Sequence, residues 1–127
     1  MRLVGPDLTL SATDLANFLG CRHRTGLDKA AALGERPYVR RDDPLLELLR
    51  QRGEEHEAAW IALLARDGRR VVSLKGRFET RDEHVARTVE AMREGADVIV
   101  QGALGDRRWF GYADVLERVA RPSSLGA

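Results

Sequence analysis

The chain has 127 residues, of which 43% are hydrophobic and 32% charged, and its formal net charge is +1. That length suits one modest domain, and no apolar run approaches the roughly 20 residues of a membrane span, which argues against a membrane protein. Near-neutral charge excludes a uniformly basic nucleic-acid binder, so any such surface must be a local patch.

Met1 to Leu10 lacks the apolar core of a signal peptide, and the single cysteine, Cys21, excludes an internal disulfide. Together these point to the cytoplasm. The positive charge is almost all arginine, with Lys29 and Lys75 the only lysines. Arginine favours bidentate phosphate contacts, though a GC-rich genome gives the same usage.

In chain order, Ser11-Ala12-Thr13-Asp14 starts like a capping box, and Leu15, Phe18 and Leu19 repeat at helical spacing up to about Gly20. After Cys21-Arg22-His23-Arg24 a second helix is expected over about 25–33, ending at the Gly34 cap. Residues 35–43 read as a connecting loop. Asp43-Pro44 then opens the longest helix, about 44–66, closed by Asp67-Gly68. Leu45, Leu49, Trp60, Leu63 and Leu64 form its apolar stripe, and the spacing predicts that His56 lies on that stripe and faces the interior.

Val71 to Leu74 reads as a strand. Thr80 with Glu83 caps a helix whose Val85, Val89 and Met92 share a face and which stops at Gly95. Asp97 to Val119 reads as a β-hairpin: Val98-Ile99-Val100 is a β-branched run, Leu104-Gly105-Asp106 a turn, and Trp109 to Val119 a second strand. Alternation puts Phe110, Tyr112, Asp114 and Leu116 on one face of that strand. Asp114 is thus expected among large apolar neighbours, where an unpaired carboxylate costs several kcal/mol by rough estimate and demands a cation, donors or a proton. Residues 121–127 read as a loop.

The order implies an α/β unit, helices in 1–43 followed by a short mixed sheet with a hairpin in 44–120. So few strands seldom close a domain, and the chain is expected to be the first part of something larger.

The Gly111-Tyr112-Ala113-Asp114-Val115-Leu116 strand resembles the first metal-binding Asp motif of the PD-(D/E)XK nucleases, in the RecB-like branch that includes the CRISPR-adaptation exonucleases. Gly53-Glu54-Glu55-His56 on the preceding long helix resembles the first motif of that branch. The resemblance spans Leu10 to Asp114. It implies a restriction-endonuclease-like core, here incomplete, with Asp114 and His56 as catalytic residues holding Mg²⁺ or Mn²⁺ for phosphodiester hydrolysis. Read from physics alone, His56 is equally a core-facing or helix-face histidine. Gly53 and Gly111 are expected to leave room for a strand or ligand to approach closely.

The family continues with an (Asp/Glu)-x-Lys strand that these residues do not supply, since Glu117-Arg118-Val119 has Val where the lysine should be. The chain alone is therefore expected to be inactive, with the C-terminal remainder of a parent protein as its partner. Cys21 reads as a small buried residue or, by the resemblance, as the first ligand of a 4Fe-4S cluster whose other ligands lie beyond this chain. Arg22, Arg24, Arg107 and Arg108 are candidate contacts to DNA, whether single-stranded or duplex ends. The alternative reading is a non-catalytic nucleic-acid- or protein-binding module on the same scaffold.

Overall fold

A computed structural model describes residues 1–38, 43–76, 78, 80–121 and 124. It is mixed α/β, with four helices and two small sheets among the described residues. None of the helices is long and apolar enough to cross a membrane. Residues 39–42 of the loop expected at 35–43, and most of that expected at 121–127, lie outside the described residues.

The chain divides into two compact units, Met1–Leu49 with Leu104–Gly111, and Arg50–Ala103 with Tyr112–Ala127. The first opens on a hairpin that sequence reading did not anticipate. Strands β1 (Arg2–Val4) and β2 (Asp7–Thr9) pair antiparallel, with Gly5 at φ +59° in the turn. Helix α1 (Ala12–Gly20) follows, capped as expected: the Ser11 amide and hydroxyl both donate to Asp14 Oδ2 at 2.7 Å. The amine of Met1 forms an ion pair with the same carboxylate. Burial pushes the Asp14 carboxyl up, but the amine and the Ser11 donors outweigh it and hold the group below its ordinary value.

Helix α2 (Arg22–Ala32) begins three residues earlier than expected, because Cys21 is extended and serves as C-cap of α1 and N-cap of α2. Helix α3 (Pro44–Arg66) is capped by Asp43, whose Oδ1 accepts from the Leu45 amide at 2.9 Å.

In the second unit the sheet order is β3 (Val71–Ser73), β4 (Val98–Gly105), β5 (Phe110–Glu117), with β3 and β4 parallel. Helix α4 (Arg81–Arg93) makes the crossover between them, its N-terminus capped by the Thr80 hydroxyl, which accepts from Glu83 N–H at 3.2 Å. Two apolar clusters identify what covers each face. Leu64 and Ile61 of α3 pack with Val71, Val98, Val100 and Val115. Ala91 of α4 and Ala96 pack with Val72, Leu74, Phe78, Ile99 and Leu116. Neighbouring strand residues therefore divide between the helices, as pleating requires. Val98 is fully buried, which stabilises the fold by about 1.5–3 kcal/mol.

Both helices match the expected stripes only in part. On α4 the buried residues are His84, Thr88 and Ala91, at i, i+4, i+7, while Val85 and Val89 of the expected face are half-buried and Met92 is exposed. Thr88 earns its place through hydrogen bonds: its hydroxyl donates to the His84 carbonyl and accepts from the Ala103 amide, both at 2.9 Å. On α3 the inner stripe is Glu57, Ile61 and Leu64, and Leu45, Leu49, Trp60 and Leu63 are exposed. The α3 residues that pack on the sheet, Ile61 and Leu64, both lie in its C-terminal half.

Candidate functional site

The site builds outward from Gln101 in the middle of β4. Gln101 has φ +56°, a left-handed conformation that a non-glycine residue holds only when its surroundings enforce it. Its carbonyl oxygen lies 2.9 Å from His84 Nε2. A carbonyl only accepts, so in this contact Nε2 is the donor. Its side-chain amide donates at 2.9 Å to Asp114 Oδ1 on β5. One residue thus ties α4 to the carboxylate.

His84 is 7% exposed, its ring centroid 4.4 Å from that of Phe78 and 5.3 Å from that of Tyr112. Phe78, His84, Gln101 and Tyr112 line a cavity of about 190 Å³ together with Lys75 and Gly76. Tyr112, Asp114 and Leu116 share the α4 face of β5, the face that alternation predicted for them.

The surroundings of Asp114 differ from expectation. It is exposed and takes an amide donor, so no large burial cost has to be offset. Its charge nonetheless stands apart from those nearby. Glu117 on the same strand pairs with Arg69, and Asp97 before β4 pairs with Arg118 at 2.8 Å. Hydrogen bonding from the Arg70 amide, followed by the Arg118 charge, holds the Asp97 carboxyl below its ordinary value against desolvation. Asp114 makes no ion pair among the described residues, leaving its second oxygen open to a cation or to a hydrogen-bond donor.

His56 is a correction to the sequence reading: it is exposed on α3, beside the packed stripe rather than on it. Ile61 and Leu64 of that helix pack on the Val115 face of the sheet, whereas Asp114 lies on the other. At Gly53 and Gly111 a Cβ would meet open space, so no strand lies close against either.

Cys21 is exposed rather than buried. Arg22 stacks over Phe18 at 5.3 Å, and Arg24 pairs with Asp28 at 3.8 Å, so both are engaged within the helical region. Arg107 and Arg108 stand in the turn between β4 and β5 and line a groove with Trp109.

Among the described residues no three His, Cys, Asp or Glu side chains gather into a metal-holding group. The described residues thus supply no complete ligand set for a divalent ion that takes six oxygens. His84, Gln101 and Lys75 were not singled out from sequence. The one signal that could have found His84 was its spacing to Thr88 and Ala91. Comparison with protein-family models, curated proteins and solved structures finds no match to this chain.

Proposed function

We propose that this chain is the N-terminal portion of a metal-dependent DNA nuclease of the RecB-like PD-(D/E)XK type, with Asp114 as a metal ligand. The observation that carries the reading is the state of Asp114: accessible, oriented by Gln101, and, among the described residues, without an arginine partner of the kind that neutralises Asp97 and Glu117. A carboxylate left open beside neutralised neighbours suits a cation. Mg²⁺ or Mn²⁺ bound there would supply Lewis-acid stabilisation of a phosphate oxygen. The chain's own contribution is to fix that carboxylate through Gln101. The further acid and the lysine that the family uses are not among these residues, so hydrolysis belongs to an intact cytoplasmic parent. His56 stays a proposed ligand only if that parent brings it to the Asp114 face, and Cys21 a cluster ligand only with cysteines from elsewhere.

The second reading is a binding module that retains the scaffold without hydrolysis; it is compatible with there being no group of three ligating side chains among the described residues.

Mn²⁺ titration of the ¹⁵N-labelled chain distinguishes them. The nuclease reading expects paramagnetic broadening of the Asp114 and Gln101 amides at millimolar Mn²⁺, abolished by Asp114→Asn, with no cleavage of DNA by the chain itself. Broadening confined to Glu54, Glu55 and Glu57, or left intact in Asp114→Asn, would refute it.

A further inference from the structure

The groove at the β4–β5 turn is built differently from the rest of the surface. It holds about 580 Å³ and is lined by Asp7, Leu8, Leu10, Arg107, Arg108 and Trp109. Its backbone is fixed from two sides. Asp106 Oδ1 accepts from the amides of Arg108 and Trp109, each at 2.7 Å, and the Asp106 amide donates to the Trp109 carbonyl at 2.7 Å. On the other side the Leu10 amide donates to the Arg108 carbonyl at 2.8 Å, and the Phe110 amide to the Leu10 carbonyl at 2.9 Å. Gly105 is required here, since a Cβ at that position would lie 2.7 Å from the Trp109 carbonyl.

The two arginines of the groove also differ from those held in ion pairs elsewhere. Arg24, Arg50, Arg52, Arg69, Arg70, Arg87 and Arg118 each pair with a carboxylate. Arg107 and Arg108 make no ion pair among the described residues, and Trp109 beside them is 38% exposed. Two unneutralised guanidinium groups and an indole on a fixed backbone match a phosphate chain with an unstacked base.

We propose that this groove binds single-stranded nucleic acid, with a base stacked on Trp109 and phosphates on Arg107 and Arg108. The apolar Leu8 and Leu10 suit the face of a splayed base and not the backbone of a duplex, whose bases stay stacked. Asp7 repels phosphate and confines the backbone to the arginine side. Because the turn is already fixed, binding loses little conformational freedom. The proposal deepens the nucleic-acid part of the reading above and needs no metal.

The test is fluorescence anisotropy of a labelled 12-nucleotide oligo-dT with the full 127-residue chain in EDTA, alongside a duplex of equal length. The single strand should bind more tightly and quench indole emission. Arg107→Ala with Arg108→Ala should weaken binding and flatten the log–log salt slope by about 1.4, near 0.7 for each lost phosphate contact. Trp109→Leu should weaken binding roughly tenfold or more with the slope unchanged, and Trp109→Phe should restore most of it. Arg50→Ala with Arg52→Ala should change nothing. Equal affinity for the duplex, or wild-type binding by either groove variant, overturns the proposal. Because EDTA removes divalent ions, such a failure leaves the Mn²⁺ result at Asp114 untouched, and loss of that result leaves this one untouched.

Discussion

Thr88→Val isolates the contact that fixes α4 to β4. Thr88 and Ala103 are both fully buried, and the Thr88 hydroxyl is the acceptor for the Ala103 amide at 2.9 Å. Valine matches threonine in shape, so no cavity opens, but the buried N–H loses its partner at a cost of about 1–3 kcal/mol. The added methyl returns about 0.8 kcal/mol of burial. The net loss is then up to about 2 kcal/mol. For a domain of this size that corresponds to a fall in Tm of up to roughly 10 °C. Thermal unfolding followed by circular dichroism measures the total, and hydrogen exchange at the Ala103 amide reads the local effect. Thr88→Ser keeps the hydroxyl and should preserve that protection while losing one methyl. A Thr88→Val protein with wild-type Tm and a protected Ala103 amide would show that the hydroxyl does not hold this junction.

The two strand glycines should behave oppositely. A Cβ at Gly102 would lie 2.8 Å from Leu116 Cδ1 and 3.1 Å from Thr88 Cγ2, so Gly102→Ala should destabilise by about 1–3 kcal/mol, whereas Gly111→Ala, facing open space, should be neutral or stabilising in urea unfolding. The Asp106 carboxyl is held below its ordinary value by the Trp109 and then the Arg108 amides. Its folded pKa lies below the unfolded one, so its contribution is complete above the unfolded pKa and is lost as pH falls through the folded pKa. Carbon-detected titration should therefore find Asp106 titrating below an ordinary aspartate, and Asp106→Ala should lose that acid-side dependence. Asp97 behaves likewise, and Arg118→Ala should move its titration back toward the ordinary value.

Local chemistry made much of the fold legible. Ser11 with Asp14, Asp43 before Pro44, and Thr80 each cap a helix where short polar side chains reach free amides, and the alternation in β5 placed Asp114 beside Tyr112. The β1–β2 hairpin escaped notice because three-residue strands carrying Arg2 and Asp7 have no periodic apolar signal. His84 and Thr88 were invisible to a search for apolar periodicity, since both are buried for their hydrogen bonds. His56 was misplaced because α3 carries leucines on more than one side, and only packing decides which of them meets a sheet. The position of Asp114 in the strand could be read in advance. Its lack of an ion pair among the described residues could not, because that depends on which arginines the fold brings to Glu117 and Asp97.

The left-handed backbone of Gln101 sets two demands against each other at one position. Glycine there would relieve a conformational penalty of about 1–3 kcal/mol while deleting the amide that orients Asp114. Asparagine tolerates the same backbone but is one methylene shorter, and so tests reach apart from strain. Selection for thermal robustness alone would drift this position toward glycine, and selection for a fixed carboxylate would hold it at glutamine. A library randomised at codon 101 and sorted separately for stability and for Mn²⁺ affinity would therefore be expected to return different residues.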